Sequence, residues 1–188
     1  MPLRPPVSLV PAPAVRAMNA LRLRRRLAWE SVVDARRWLF PLDGIGRWNR
    51  LYGPRGFVQF QGVLPAAVER EAVTALLRRA CRARRPSTLA VLKRFGALAS
   101  PGPMSFPRAG ATLSLDFAHA GPETDALLAD LHAICREAGG RVYAAKDASA
   151  PAACLSPGDA AMARFRPHVD PRFESDLWRR LAGPAQAG

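Results

Sequence analysis

The sequence predicts an α+β domain in which two helices cover one face of an antiparallel sheet. Two segments, 56–64 and 111–118, alternate between apolar and polar side chains, as half-buried strands do. Two others, 65–85 and 122–138, carry apolar side chains at helical spacing. These alternating segments and helices predict one small sheet with its core on a single side.

The first half of the domain reads as a strand followed by a helix. In GFVQFQGVL, the apolar residues share one face and the glutamines Gln59 and Gln61 share the other. We expect Pro65 to open a helix that runs to about Arg85. Its apolar stripe is predicted to include Val68, Ala72, Leu76, Leu77, Ala80 and Cys81.

The second half repeats this pattern. STLAVLKRFG, residues 87–96, is predicted to be the second strand, and ATLSLDFA, residues 111–118, the third. Pro122 opens the second helix, and Gly139-Gly140 ends it before a short fourth strand over 141–146. The order is therefore ferredoxin-like βαββαβ.

One face of this sheet is predicted to be polar and uncovered by the helices. Its residues are Gln59, Gln61, Lys93, Phe95, Thr112, Ser114 and Asp116. A half-polar, half-apolar face usually meets a partner or a ligand.

Helical extensions are predicted at both ends of the domain. Residues 1–14 are rich in proline, and residues 15–29 could form a basic amphipathic helix. We favour docking of that helix on its own protein, and contact with an anionic membrane surface is the alternative. Residues 159–181 suggest a short helix, a VDP turn and a final basic helix.

The net charge is +13, and only two of the 28 basic residues are lysines, Lys93 and Lys146. Such a charge favours anionic partners, although an arginine-rich composition without functional meaning also explains it. A basic ferredoxin-like domain could bind RNA through its open sheet. RGFVQF resembles a ribonucleoprotein signature, but it lies on the first strand and not on the third, as that fold requires.

Several classes of site have no support in the sequence. Cys81, Cys135 and Cys154 are widely spaced, and we expect Cys81 and Cys135 on apolar helix faces. The histidines are scattered, and His132 is predicted to lie on the surface. We expect no metal site, nucleotide loop or membrane span, and we place the chain in the cytoplasm.

Five stretches together resemble a known family. They are PLDGIGRWNRLYGPRGFVQFQGVLP, STLAVLKRFG, PMSFPRAGATLSLDF, EAGGRVYAAKDA and VDPRFESDLWRRL. In this order they resemble the C-terminal half of FAD-linked oxidoreductases in the vanillyl-alcohol-oxidase superfamily, nearest the decaprenylphosphoryl-ribose 2-oxidase branch. The resemblance covers residues 15–182.

The resemblance implies roles for individual residues. Lys146 would be catalytic and would lie between the flavin ring and the substrate, with Tyr143 against the cofactor. The substrate-binding residues would be Gln59, Gln61, Lys93, Phe95, Thr112 and Ser114. The family has Cys where this chain has Ser114 and Asn where it has Thr112, which leaves the exact substrate open. The stretch between AKD and VDP is also shorter here.

The resemblance further implies a division of the chain. Residues 1–54 would be an extension, residues 55–140 the substrate domain, and residues 141–188 a segment that packs on a flavin domain. No part of the sequence resembles that flavin domain, so we expect the chain to be incomplete on its own or to need a separately encoded one. The implied reaction is oxidation of a secondary alcohol of a sugar or polyol, lipid-phosphate-linked sugars included, by hydride transfer to FAD. The alternative is a non-enzymatic module that binds RNA or another anionic polymer.

Overall fold

The computed structural model of the protein describes residues 5–24, 32–40, 44, 46–102, 104–146, 159–170, 172–173 and 175–182. In chain order, the helices are α1 (Ala12–Arg24), α2 (Ala35–Leu39), α3 (Glu69–Arg82), α4 (Pro122–Glu137), α5 (Asp159–Phe165) and α6 (Asp176–Ala182). The strands are β1 (Phe57–Pro65), β2 (Leu89–Phe95), β3 (Gly110–Ala118) and β4 (Arg141–Val142).

The four strands form one antiparallel sheet with the order β2-β3-β1-β4. The central pair, β1 and β3, is joined along its whole length, from Phe57 opposite Ala118 to Pro65 opposite Gly110. This order and the two helices between the strands are those of the ferredoxin-like arrangement. The predicted α+β fold is confirmed.

The hydrophobic core lies between the sheet and the helices α3 and α4. Alternate residues of β1 and β3 point to this side, because successive side chains of a strand face opposite ways. The fully or almost fully buried members are Phe60, Leu64, Leu76, Leu113, Leu115, Phe117, Leu127, Leu128 and Leu131. Burial of these side chains leaves the other face of the sheet free for polar residues.

Several element boundaries differ from the prediction: α3 ends at Arg82 and not at about Arg85, and β2 spans Leu89–Phe95 and not 87–96. Pro65 does not open a helix: it is the last residue of β1, and a turn closed by Val68 N–H on Pro65 O (3.1 Å) precedes α3. The fourth strand is shorter than 141–146. After Val142 the chain turns into a 3-10 helix, Ala144–Lys146.

Four side chains have the opposite burial to the one predicted. His132 is buried against the ring of Phe60, with ring centroids 5.6 Å apart, because α4 packs on β1. Val68, Leu77 and Cys81 are exposed, since the buried stripe of α3 comprises only Ala72, Leu76 and Ala80. Cys135 is buried as expected, and Cys154 lies outside the described residues.

The N-terminal helix docks on its own protein through its first half. Val15 of α1 is buried, and the Arg16 guanidinium donates to the Arg84 carbonyl at 2.6 Å. Leu21 and Leu23, in the second half of α1, are exposed, and Trp29 lies outside the described residues. The docked alternative is therefore confirmed for the start of this segment.

The C-terminal helices follow the predicted pattern of a short helix and a final basic helix. Leu177 of α6 packs against the domain core, and Trp178 meets Phe165 edge to face at 6.2 Å between centroids. Among the described residues, no helix has the length and apolar content that a membrane span requires.

Candidate active site

The strand register brings the predicted site residues of β1, β2 and β3 to one face of the sheet. Directly paired residues in antiparallel strands point to the same side. Lys93 pairs with Thr112, and Ser114 pairs with Gln61. Six predicted substrate-binding residues share the face that the helices leave free, which we call the open face: Gln59, Gln61, Lys93, Phe95, Thr112 and Ser114.

Asp116 lies on the same face and was not assigned a role from the sequence. It pairs with Gln59 in the register, and the Gln59 amide donates a hydrogen bond to its carboxylate. Only 2% of Asp116 is exposed. Burial raises the pKa of this carboxyl, and the Gln59 hydrogen bond and the positive charge of Lys146 oppose the rise. Its polar position in the alternation of β3 was the available signal.

Lys146 reaches the open face from the segment that follows β4. Tyr143 N–H donates to Gln61 O at 2.8 Å, and Lys146 N–H then donates to Tyr143 O at 3.0 Å. This tight turn carries the Lys146 ammonium to within electrostatic range of Asp116. Tyr143 and Lys146 therefore join the residues of the first three strands.

The two lysines stand at different places on this face. Lys93 lies on the edge strand β2, beside Thr112, whereas Lys146 lies near Asp116. Thr112 and Asp116 are four residues apart on β3, which corresponds to about 14 Å along the strand. The side chains of Ser114 and Gln61 occupy the stretch between them. Both lysines are exposed, while Thr112, Ser114 and Asp116 form a buried floor.

An aromatic cluster borders the open face near the end of β2. Phe106 contacts Tyr143 with ring centroids 4.6 Å apart and meets Phe95 edge to face at 6.2 Å. Phe106 thus connects an edge strand to the segment after β4 on the other side of the sheet. The sequence did not predict a role for this ring, because Phe106 lies in an irregular loop where periodicity gives no information.

Two arginines hold the loop that carries Phe106. Arg141 donates to Ser105 O at 3.0 Å, and Arg108 donates to Gly139 O. Burial lowers the pKa of Arg108, and the neighbouring charge of Arg141 lowers it further. These guanidinium groups fix the loop to the start of β4 and so fix the position of Phe106.

A second aromatic cluster borders the opposite end of the face. The Phe57 ring stacks on Tyr52 at 4.7 Å and lies 5.0 Å from Trp48. The Tyr52 hydroxyl is 2.7 Å from the Thr88 hydroxyl, and burial raises its pKa. The open face is therefore a polar floor between two aromatic borders.

The side chains of the open face are better suited to contact a flavin ring than to bind a metal ion or the nucleotide part of FAD. The amides of Gln59 and Gln61 and the Lys146 ammonium are suited to a heteroaromatic ring that carries charge near its nitrogens. Among the described residues, no group of three or more His, Cys, Asp and Glu side chains could hold a metal. The described strand–helix junctions also show no glycine-rich loop for the pyrophosphate.

Comparison with known proteins connects this face to a family. No family model matches the chain. Decaprenylphosphoryl-beta-D-ribose oxidase of Mycolicibacterium smegmatis is 37% identical to it over 147 residues, which is 75% of this chain and 31% of the oxidase. The chain is related to the C-terminal part of the oxidases in the decaprenylphosphoryl-ribose branch. The resemblance predicted from the sequence is confirmed. The chain corresponds to part of an FAD-dependent oxidoreductase.

The chain spans about a third of the length of this oxidase relative. The similarity concerns the sequence as a whole and does not test the role of any residue on the open face. The roles of Lys146, Tyr143 and the six substrate-binding residues remain predictions. The same holds for the division of the chain at residues 54 and 140.

Proposed function

We propose that the chain is the substrate-domain portion of an FAD-dependent oxidoreductase. Its reaction is the oxidation of a secondary alcohol of a sugar or polyol, and lipid-phosphate-linked sugars belong to this substrate class. A flavin domain, on the same or a separate polypeptide, covers the open face. The name of the mycobacterial relative, a decaprenylphosphoryl-ribose oxidase, supports this choice of substrate.

The observation that carries the proposal is the buried, hydrogen-bonded pair of Asp116 and Gln59, on which the charge of Lys146 acts. Asp116 and Gln59 are hydrogen-bonded, and Lys146 lies close enough for its charge to act on Asp116. A fold that needed only stability would rarely bury a carboxyl at this place, since desolvation of a charge is costly. A buried carboxyl with a shifted pKa beside a lysine is instead typical of functional sites.

The residues of the open face have distinct roles in this proposal. Oxidation of a secondary alcohol removes a hydride from carbon, which FAD would accept when bound, and a proton from the hydroxyl oxygen, which passes to water. The Lys146 ammonium stabilises negative charge that develops beside it. Asp116 positions that ammonium through their mutual attraction. Lys93, at the far end of the floor, binds an anionic or oxygen-rich part of the substrate.

The test is reconstitution of the purified chain with FAD and the flavin-bearing part of the mycobacterial relative. We expect turnover only when all three are present, with a sugar that carries a secondary alcohol as substrate and an added electron acceptor that reoxidises the flavin. Lys146→Ala should lower kcat by about 100-fold or more, because it removes charge stabilisation in the transition state. Lys93→Ala should mainly raise KM, because it removes substrate binding that is equal in ground and transition states.

Arg78→Ala, at an exposed position of α3 on the helical side of the sheet, is the matched control for loss of one cation and should leave both constants unchanged. Unchanged kcat in Lys146→Ala would contradict the catalytic role of Lys146. If the chain neither binds FAD nor supports turnover with the flavin-bearing part, the proposed function is wrong.

Binding of RNA or another anionic polymer is the competing function, and the structure favours it less. The two rings that could stack on bases, Phe57 and Phe95, are already engaged with other aromatic rings of the chain. That function predicts tight binding of single-stranded RNA with a steep salt dependence. A weak, sequence-independent association at low salt alone would reflect only the net charge of +13.

A further inference from the structure

The segment around α2 exposes an unusual density of large apolar side chains. Five of the nine residues from 32 to 40 belong to this group, which we call the α2 patch: Val32 (105% exposed), Val33 (54%), Trp38 (72%), Leu39 (58%) and Phe40 (55%). None of the nine is buried. A contiguous group of exposed apolar side chains commonly marks a surface that binds a partner or a membrane.

Local hydrogen bonds form the short helix in this segment. The Asp34 side chain caps it by accepting from Arg37 N–H at 3.1 Å, and Trp38 N–H donates to Asp34 O at 3.0 Å. A helix of five residues has little stability of its own in water. Its cap nevertheless orders Trp38 and its neighbours into a defined surface.

The helical positions of α2 separate apolar from basic side chains. At about 100° per residue, Ala35, Trp38 and Leu39 fall within an arc of about 100°, and Arg36 and Arg37 fall outside it. Aromatic residues on one side and arginines on the other are typical of helices that lie at a membrane surface. Trp in particular prefers the level of the lipid headgroups.

Charge identifies the kind of surface that fits. Apart from the capping Asp34, the segment from 32 to 40 has no acidic residue, and the whole chain has a net charge of +13. Leu21 and Leu23 on α1 are also exposed and lie next to Arg22 and Arg24, so the end of α1 adds further apolar and basic side chains to the surface. Such a surface repels a second copy of the chain and attracts anionic lipid.

We propose that the α2 patch docks on the surface of an anionic lipid bilayer. Trp38 and Phe40 enter the boundary between headgroups and acyl chains, and Arg36 and Arg37 contact lipid phosphates. The sequence pointed to residues 15–29 for such contact, but Val15 is used for docking on the domain. The proposal is independent of the oxidoreductase function and can hold or fail without it.

The experiment measures binding of the purified full chain to vesicles by flotation. Vesicles contain phosphatidylcholine alone or phosphatidylcholine with phosphatidylglycerol, at about 0.15 M salt, where long-range attraction is screened beyond about 8 Å. We expect binding to the anionic vesicles only. Trp38→Ala combined with Phe40→Ala should weaken it about tenfold or more, and so should Arg36→Glu combined with Arg37→Glu.

Phe173→Ala provides the matched control, because Phe173 is an aromatic side chain with 81% exposure outside the patch. It should bind like the parent. Equal binding to neutral vesicles, or full binding by both double variants, would overturn the proposal. Quenching of tryptophan fluorescence by brominated lipid gives a second readout, which Trp38→Phe should reduce. Binding of RNA in preference to anionic vesicles would identify the patch as a different kind of interface and would also overturn it.

Discussion

At the scale of single residues, Asp116 is the most informative side chain on the open face. The alternation of β3 predicted its face but not its burial, its bond with Gln59 or its proximity to Lys146. These depend on the register between β1 and β3, which the sequence of neither strand specifies alone. A carboxyl in this position couples the stability of the fold to pH.

The pH dependence has a definite sign. Burial raises the pKa of Asp116 above the ordinary 3.8, so the folded chain retains this proton to a higher pH than the unfolded chain. Ionisation of Asp116 therefore disfavours the folded state. The free energy of unfolding decreases as pH rises from about 3.8 through the raised pKa of the folded chain. Asp116→Asn keeps the shape of the side chain and removes the ionisation.

We expect the free energy of unfolding of Asp116→Asn, relative to the parent, to increase as pH rises from about 4 to 7. Urea unfolding of both proteins at several pH values measures this difference. A relative stability that falls with rising pH would mean that the attraction between the carboxylate and Lys146 outweighs desolvation. That outcome would contradict the raised pKa.

At the scale of elements, the start of β4 depends on a close contact with α4. A side-chain carbon at Gly140 would lie 2.6 Å from the Cys135 thiol and 2.6 Å from its carbonyl oxygen. Gly140 N–H also donates to Cys135 O at 2.7 Å. This contact sets where the chain leaves the helix and hence where Tyr143 and Lys146 arrive on the open face.

Gly140→Ala should therefore destabilise the protein by about 1–3 kcal/mol, because the added methyl group must displace backbone or a buried thiol. Gly96→Ala is the control: nothing lies within 4 Å of a side-chain carbon there, and the expected change is within about 0.5 kcal/mol. Urea unfolding measures both. Equal stability of the two variants would show that α4 and β4 can move apart at little cost.

Element order was predictable because each strand and helix carries its own periodicity. The bounds of β3 and α4 agree with the prediction to within one residue, since Pro122 and Gly139 mark the helix ends chemically. The prediction that Pro65 opens a helix was wrong, because proline is also tolerated at the end of a strand. The burial of His132 and the exposure of Cys81 depend on how the helices rest on the sheet, which a single helix does not encode.

At the scale of the whole molecule, one face of the sheet packs on the helices and the other, the open face, carries the candidate site residues. The helices cover the core side, and the floor of the open face is buried by its own neighbours while its lysines remain exposed. The sequence predicted this asymmetry, because polar and apolar residues alternate in β1 and β3. It did not predict the aromatic borders, because they join the strand residues Phe57 and Phe95 to rings from segments without strand periodicity, Trp48–Tyr52 and the loop of Phe106.

This asymmetry allows a direct test of what covers the open face. Lys93 and Lys146 are the only lysines in the sequence, and both are exposed. An amine-reactive label read by mass spectrometry should modify both in the free chain. Addition of FAD and the flavin-bearing part of the mycobacterial relative should protect both. Cys81, exposed on α3 away from the open face, is the internal control, and its alkylation should not change. Protection of Cys81 with continued labelling of the lysines would mean that the partner binds the helical side, and the open face would then have no role in holding the flavin.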